Sequence, residues 1–298
     1  MARGRGGLRW PPAATGGPEL TVRNWHRKAL QEEVQRRDED LDLARAALLI
    51  ACEEHPDLEV SSYLRKLDAM AIRIEGMLKP DPDCYEIIGT INHYLFNELQ
   101  FTGNTQDYYN ADNSYLNYVL DHGVGIPVTL SIVYLELAWR IGFEIDGVGL
   151  PGHFIVKHAS PTEGDIYIDP FTHGSILSAE ECEERMRRAT GQRTPFQQHY
   201  LGTVTKRQIL QRLLHNLKTI HLRRQDYKRA LSVIQLALVL APWNLDEVRD
   251  RGLVLYQLRD YKRALVDLEN YLHYNSDASD APRINMALEF LRAMRESR

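Results

Sequence analysis

The sequence predicts an α+β core, in which one apolar helix packs on an antiparallel sheet after a run of helices, followed by an all-α region of repeated helix pairs. Three observations carry this reading. Val128 to Ile141 places apolar residues nearly all round a helix, the pattern of a buried one. After Gly142 the hydrophobic period changes to two, as strands require. Further on, Asp226-Tyr-Lys-Arg-Ala-Leu231 returns as Asp260-Tyr-Lys-Arg-Ala-Leu265, a spacing of 34 residues.

Taken in order, residues 1–24 carry Gly, Pro and Arg without an apolar stretch. They read as a disordered tail, or as a start placed too early, and not as a secretory signal. Trp25 to Glu54 reads as helix, in one piece or two, with Asp40 and Asp42 before the apolar run Leu43–Cys52. His55-Pro56 stops it, because proline pushes its predecessor out of the α region. Ser61 or Ser62 can cap a second helix, with Leu64, Leu67, Met70, Ala71, Ile74 and Leu78 on one face. After the turn at 79–83, a third helix over Cys84–Glu98 turns Ile87, Ile88, Ile91, Leu95 and Leu99 inward. Phe101–Asp112 is a polar, aromatic loop. Asn113 or Asp112 then caps a short helix ending near Leu120. Pro127 suits the first position of the apolar helix, where its missing N–H is no loss.

Phe143–Leu150, His153–His158 and Asp165–Phe171 are strand candidates, the last two forming a hairpin. With its loop centred near Pro161, the hairpin sets His153 opposite Asp169, close enough for a carboxylate to orient an imidazole. Phe154, Val156, Ile166 and Ile168 then share the other, apolar face. Glu180, Glu181, Glu183 and Glu184 read as a solvated helix face capped by Ser178.

The 34-residue spacing is that of tetratricopeptide repeats. Helices near Gln208–Arg224 and Tyr227–Leu240 make one unit, and Leu245–Arg259 and Tyr261–Tyr274 the next. Gly252 and Tyr256 pack tightly against Ala264, and Pro282 opens a final helix to about Arg295. Two repeats with a cap fall short of the three such arrays usually need, so they are expected to dock on the preceding domain. The resulting division is 1–24 tail, 25–204 core with its N-terminal helices, and 205–298 repeats.

Composition excludes several classes. Thirty-six basic and 41 acidic side chains give a net charge of −5, without the basic surface of a nucleic-acid binder. Glu136 and Arg140 interrupt the most apolar window, so no membrane span is expected. Three cysteines, Cys52, Cys84 and Cys182, lie far apart without CxxC spacing, which fits a reducing, cytoplasmic setting. His153 and His158 point to opposite strand faces, and His122 and His173 lack ligand spacing, so neither metal nor cofactor is expected.

Several stretches together resemble the bacterial SirB-type family, a transglutaminase-like core followed by tetratricopeptide repeats. They are Asp42-Leu-Ala-Arg-Ala-Ala-Leu48, Asn113-Ser-Tyr-Leu-Asn117, Gly125-Ile-Pro-Val-Thr-Leu-Ser131, Gly147-Val-Gly-Leu-Pro-Gly-His-Phe154 and Ile168-Asp-Pro-Phe171. The resemblance implies a transglutaminase-like, papain-like core in which a cysteine at the helix start attacks a carbonyl, assisted by His and Asp. Carried onto this chain, these are His153 and Asp169, and the nucleophile position is Pro127 or Val128. Neither can attack, and no cysteine sits at the helix start. It also implies that Asn113, Ser114 and Pro127, with the Tyr108-Tyr109 loop, border the cleft.

Two readings follow. In the first, His153–Asp169 is the structural remnant of a degenerate triad, and the chain is a non-catalytic interaction or regulatory module whose repeats take a protein partner. In the second, an enzyme of the thiol-protease, amidase or transglutaminase type uses His153–Asp169 with a non-cysteine nucleophile. Ser131 and Thr129 are the hydroxyls on offer, although Ser131 also suits a close helix–sheet approach.

Overall fold

The structure is a computed structural model that describes residues 25–191 and 194–296. The segment 1–24, expected to be a disordered tail, lies outside the described residues.

The N-terminal helices form where the patterning places them, with a different cap on the second. The first stretch is two helices, α1 (Trp25–Val34) and α2 (Leu43–Ala51). Asp42 caps α2, accepting the Arg45 N–H at 2.8 Å. The helix α3 (Val60–Glu75) starts before Ser61, so neither serine caps it. The third helix divides into α4 (Cys84–Asn92), capped by Asp83, and a wider turn over His93–Glu98. That change of winding leaves Leu99 40% exposed, not inward as its spacing predicts. Two short strands, β1 (Thr102–Gly103) and β2 (Val124–Gly125), pair in parallel around a 3₁₀ turn at Ala111–Ser114 and α5 (Leu116–His122).

The central helix α6 (Pro127–Arg140) is buried from Pro127 through Ala138. Even Glu136 is buried, accepting the Ala44 N–H at 2.7 Å and bonding Arg140. Behind it stand β3 (Asp146–Val148), β4 (Ile155–Ser160), β5 (Gly164–Asp169), β6 (Ser175–Leu177) and β7 (Thr203–Val204), in the antiparallel order β6-β5-β4-β3-β7. Phe154, Val156, Ile166 and Ile168 face α6 within the main core, as the alternation predicts. Val148, Ile155, Tyr167 and Leu177 form the opposite face, covered by Cys182 of α7 (Ala179–Thr190). The acidic helix is therefore solvated on one side only, with Cys182 and Met186 fully buried.

The hairpin register differs from the expected one. Val156 pairs with Ile168 and Ser160 with Gly164, so the loop centres on Thr162. Gly164 has φ +77°, a left-handed conformation that favours glycine, and this closes the turn one position later.

Five helices follow among the described residues: α8 (Lys206–Arg223), α9 (Tyr227–Leu240), α10 (Leu245–Gln257), α11 (Tyr261–Tyr274) and α12 (Ala281–Glu296). A Cβ on Gly252 would lie 2.8 Å from Leu268, which is the close helix pairing the repeat requires. Leu210, Leu213, Leu214 and Leu217 of α8 and Leu236 of α9 share one core with α2 and α6. The helices α10–α12 centre on a separate cluster around Leu255, Leu268, Ile284 and Leu288.

Candidate functional site

His153 precedes β4, in a turn closed by its own N–H donating to the Leu150 carbonyl at 3.1 Å. Asp169 ends β5. Continuing the ladder past Val156–Ile168 sets Asp169 against Ile155, so His153 reaches it diagonally, two residues along the strand. The reach succeeds: His153 Nε2 lies 2.9 Å from Asp169 Oδ2.

Asp169 is completely buried and held from several sides. Arg185 Nη1 lies 3.1 Å from Oδ2, and the Phe171 N–H donates to Oδ1 at 3.0 Å. Burial pushes its carboxyl upward, yet the hydrogen bond and charge of His153 and the charge of Arg185 outweigh this, holding it below the ordinary carboxylate range. Arg185 sits beside buried Met186, and the Cys182–Met186 spacing in the acidic helix is the signal of a core-facing stripe with Arg185 at its edge.

A second arginine also touches the site. Arg212 of α8 donates from Nη2 to the Leu150 and His153 carbonyls, at 3.1 and 3.3 Å, clasping the turn that carries the imidazole. No motif marks it in the sequence. Phe171 stands edge-on between the His153 ring, 5.9 Å away, and the Tyr108 ring, 6.3 Å away. A Cβ on Gly103 would come within 2.5 Å of the Phe171 ring, so the close approach requires glycine there.

Where the resemblance implies a nucleophile, at the start of α6, the side chains are those of proline and valine. Pro127 and Val128 begin α6 and are buried. Thr129 Oγ1 accepts the Ile126 N–H at 3.0 Å and donates to the Asn113 carbonyl at 2.8 Å, fastening the helix start. Ser131 is fully buried and its Oγ has no hydrogen-bond partner. The only side-chain hydrogen bond of His153 among the described residues is the one to Asp169. Burial pushes the Cys52 thiol up to about 11 and the Cys182 thiol up to about 12, so neither ionises near neutrality.

Asn113, Ser114 and Pro127 do gather at the start of α6, but all three are buried. Asn113 caps no helix. Its side chain donates to the Asp107 carbonyl at 2.8 Å and accepts from Asn104 at 3.1 Å, pinning the polar loop. Among the described residues no group of three or more His, Cys, Asp or Glu is placed to hold a metal. No described helix is long and apolar enough to cross a membrane.

A helix-on-antiparallel-sheet core with a His–Asp pair beside the helix start, continued by 34-residue helix pairs, defines the class. Residues 61–215 match the transglutaminase-like superfamily and residues 217–289 match the tetratricopeptide repeat. The chain is 36% identical over 242 residues to a UPF0162 protein of Xylella fastidiosa strain Temecula1, covering 79% of this chain and 84% of that one. A UPF0162 protein of Vibrio cholerae is 27% identical over 240 residues, covering 80% and 88%. Human F-box only protein 21 is 33% identical over 186 residues, which is 59% of this chain but 28% of that protein. The chain thus belongs to the transglutaminase-like superfamily, within the UPF0162 family.

Proposed function

We propose that the chain is a non-catalytic interaction or regulatory module of the SirB type, working in the cytoplasm, in which the transglutaminase-like core has become a support for the repeats. The observation that carries this is the start of α6: two buried carbon side chains, Pro127 and Val128, stand where the attacking atom belongs. The hydroxyl candidates do not replace it. Thr129 is committed to the helix start, and Ser131 is enclosed and bonded to nothing. His153 and Asp169 then act structurally, tying the ends of β4 and β5 to α7 through Arg185.

In this reading residues 25–204 are the core and 205–298 the repeat region that takes a protein partner. The repeats pack on the core, an arrangement supported by Leu210, Leu213 and Leu217 lying in its cluster and by Arg229, whose Nε donates to Glu54 at 2.8 Å. The enzyme reading keeps one observation in its favour: the His153 side chain is 11% exposed. Incubating the purified chain with a fluorescent primary amine and a glutamine-containing protein, and separately with peptide amides, tests both readings. No incorporation or hydrolysis above that of His153→Ala is expected. Turnover that His153→Ala abolishes while remaining folded would overturn the reading.

A further inference from the structure

A cavity of about 300 Å³ opens beside the turn between α9 and α10, at the lower end of the ~300–1,000 Å³ of ligand pockets. Trp243, Asn244 and Asp246 line it from that turn and the first residues of α10, Gln211 from α8, and Asn275 from the end of α11. The residues that hold His153 and Asp169 are not among them.

Trp243 is the unusual member. It stands immediately before Asn244, which caps α10 by accepting from the Asp246 and Glu247 N–H groups. An apolar residue in that place ordinarily folds back onto the fourth residue of the helix, here Val248. Val248 is buried, but Trp243 is 71% exposed, so the indole does not serve as that staple. Nor does it join any of the apolar clusters formed by the described residues. Neither the helix start nor the packing of the repeats accounts for it.

The polar groups around it are uncommitted and leave the cavity without a free charge of either strength. Gln211 and Asn275, both half-buried, make no side-chain hydrogen bond among the described residues. Asn244 spends its Oδ1 on the cap, which leaves its N–H₂. Asp246 accepts from Arg249 through Oδ1 at 3.0 Å and keeps Oδ2. That arginine also holds Asp250 and Asp280, at 2.8 and 3.1 Å. No Lys, Arg or His lines the cavity to take a phosphate or a carboxylate, and its one carboxylate already has a counter-charge.

A ligand that fits is therefore neutral, turns an apolar face to the indole, and carries groups that both donate and accept. Side-chain amides do both, and so do hydroxyls. A pyranose with equatorial hydroxyls meets all three conditions, because its two ring faces are C–H and its hydroxyls radiate from the rim. An extended peptide instead spreads its polar groups along a line, at ~3.3 Å per residue, whereas these side chains gather round one indole. We infer that this cavity binds a neutral pyranoside with equatorial hydroxyls, stacked on Trp243 and hydrogen-bonded by Gln211, Asn244, Asp246 and Asn275. The site goes beyond the module reading and does not depend on it.

The test titrates the full chain by calorimetry with cellobiose and N,N′-diacetylchitobiose, whose ring substituents are equatorial. Sorbitol, which has hydroxyls but no ring, and acetyl-trialanine amide are the controls. Saturable binding of at least one disaccharide is expected, at least about tenfold tighter than that of sorbitol. Trp243→Ala should weaken it by at least about tenfold, and Trp243→Phe, which keeps a smaller aromatic face, by less. Because the indole packs in no core, both variants should keep the wild-type melting temperature. Gln211→Ala and Asn275→Ala remove no hydrogen bond of the free protein and should each weaken binding several-fold. No saturation by either disaccharide at about 50 mM, equal binding of sorbitol, or unchanged affinity in Trp243→Ala would overturn the proposal. Tighter binding of acetyl-trialanine amide than of either disaccharide would assign the cavity to a polypeptide and overturn it as well.

Discussion

Asp169→Asn separates a structural His–Asp pair from a dispensable remnant. In the wild type a fully buried carboxylate accepts from Phe171 at Oδ1 and meets both His153 and Arg185 at Oδ2. Asparagine can keep the first bond, but its N–H₂ then faces two donors. Breaking a buried, hydrogen-bonded ion pair costs roughly 3–5 kcal/mol. His153 is 11% and Arg185 27% exposed, so water recovers part of the loss and about 3 kcal/mol is expected. Urea unfolding measures this as a lower midpoint at unchanged slope.

The same variant should alter the pH profile. Because the folded carboxyl of Asp169 is held below its unfolded value of ~3.9, the unfolded chain takes up the proton first. Its contribution is full above that value and drains away as the pH falls through the folded value. Glu53, lowered to about 2 by hydrogen bonds from His26 and Arg27 against the opposing effect of burial, acts over the same acid range and persists in the variant. Wild-type stability should therefore fall more steeply than that of Asp169→Asn below pH ~4. A loss under about 1 kcal/mol, or identical acid profiles, would refute the structural role.

Other outcomes follow from the same geometry. Ser131→Ala removes a buried hydroxyl that bonds nothing, so its unfolding free energy should stay within about 1 kcal/mol of wild type. Lys218→Met strands Glu247 between α8 and α10, while Asp250 keeps its pairing with Arg249, and should cost about 3 kcal/mol, read as a lower melting temperature. Cys52 and Cys182 should resist an aromatic disulfide reagent at pH 8 until urea is added; rapid native labelling of Cys182 would contradict its burial. A chain ending at Ala241 should retain a cooperative melt, whereas one ending at Val204 should not, because Leu210, Leu213, Leu214 and Leu217 belong to the main core.

What local pattern determines was legible, and what long-range docking determines was not. Apolar alternation assigned Phe154, Val156, Ile166 and Ile168 to one face because it depends only on parity. The register is two residues from the expected one, and a slip of two leaves every side chain on its face. His153 and Asp169 consequently still meet, as diagonal rather than directly opposed neighbours, and the imidazole spans the difference. The cap of α3 and the end of the third helix were misplaced for a related reason: spacing fixes a helix's face more firmly than its ends. Arg185 and Arg212 lay beyond this kind of reading, since each becomes part of the site only through the packing of a separate helix onto the sheet. Pro127 is the opposite case. Its identity needs no tertiary context, and in the proposed reading a buried pyrrolidine at the head of α6 offers the His–Asp pair no attacking atom.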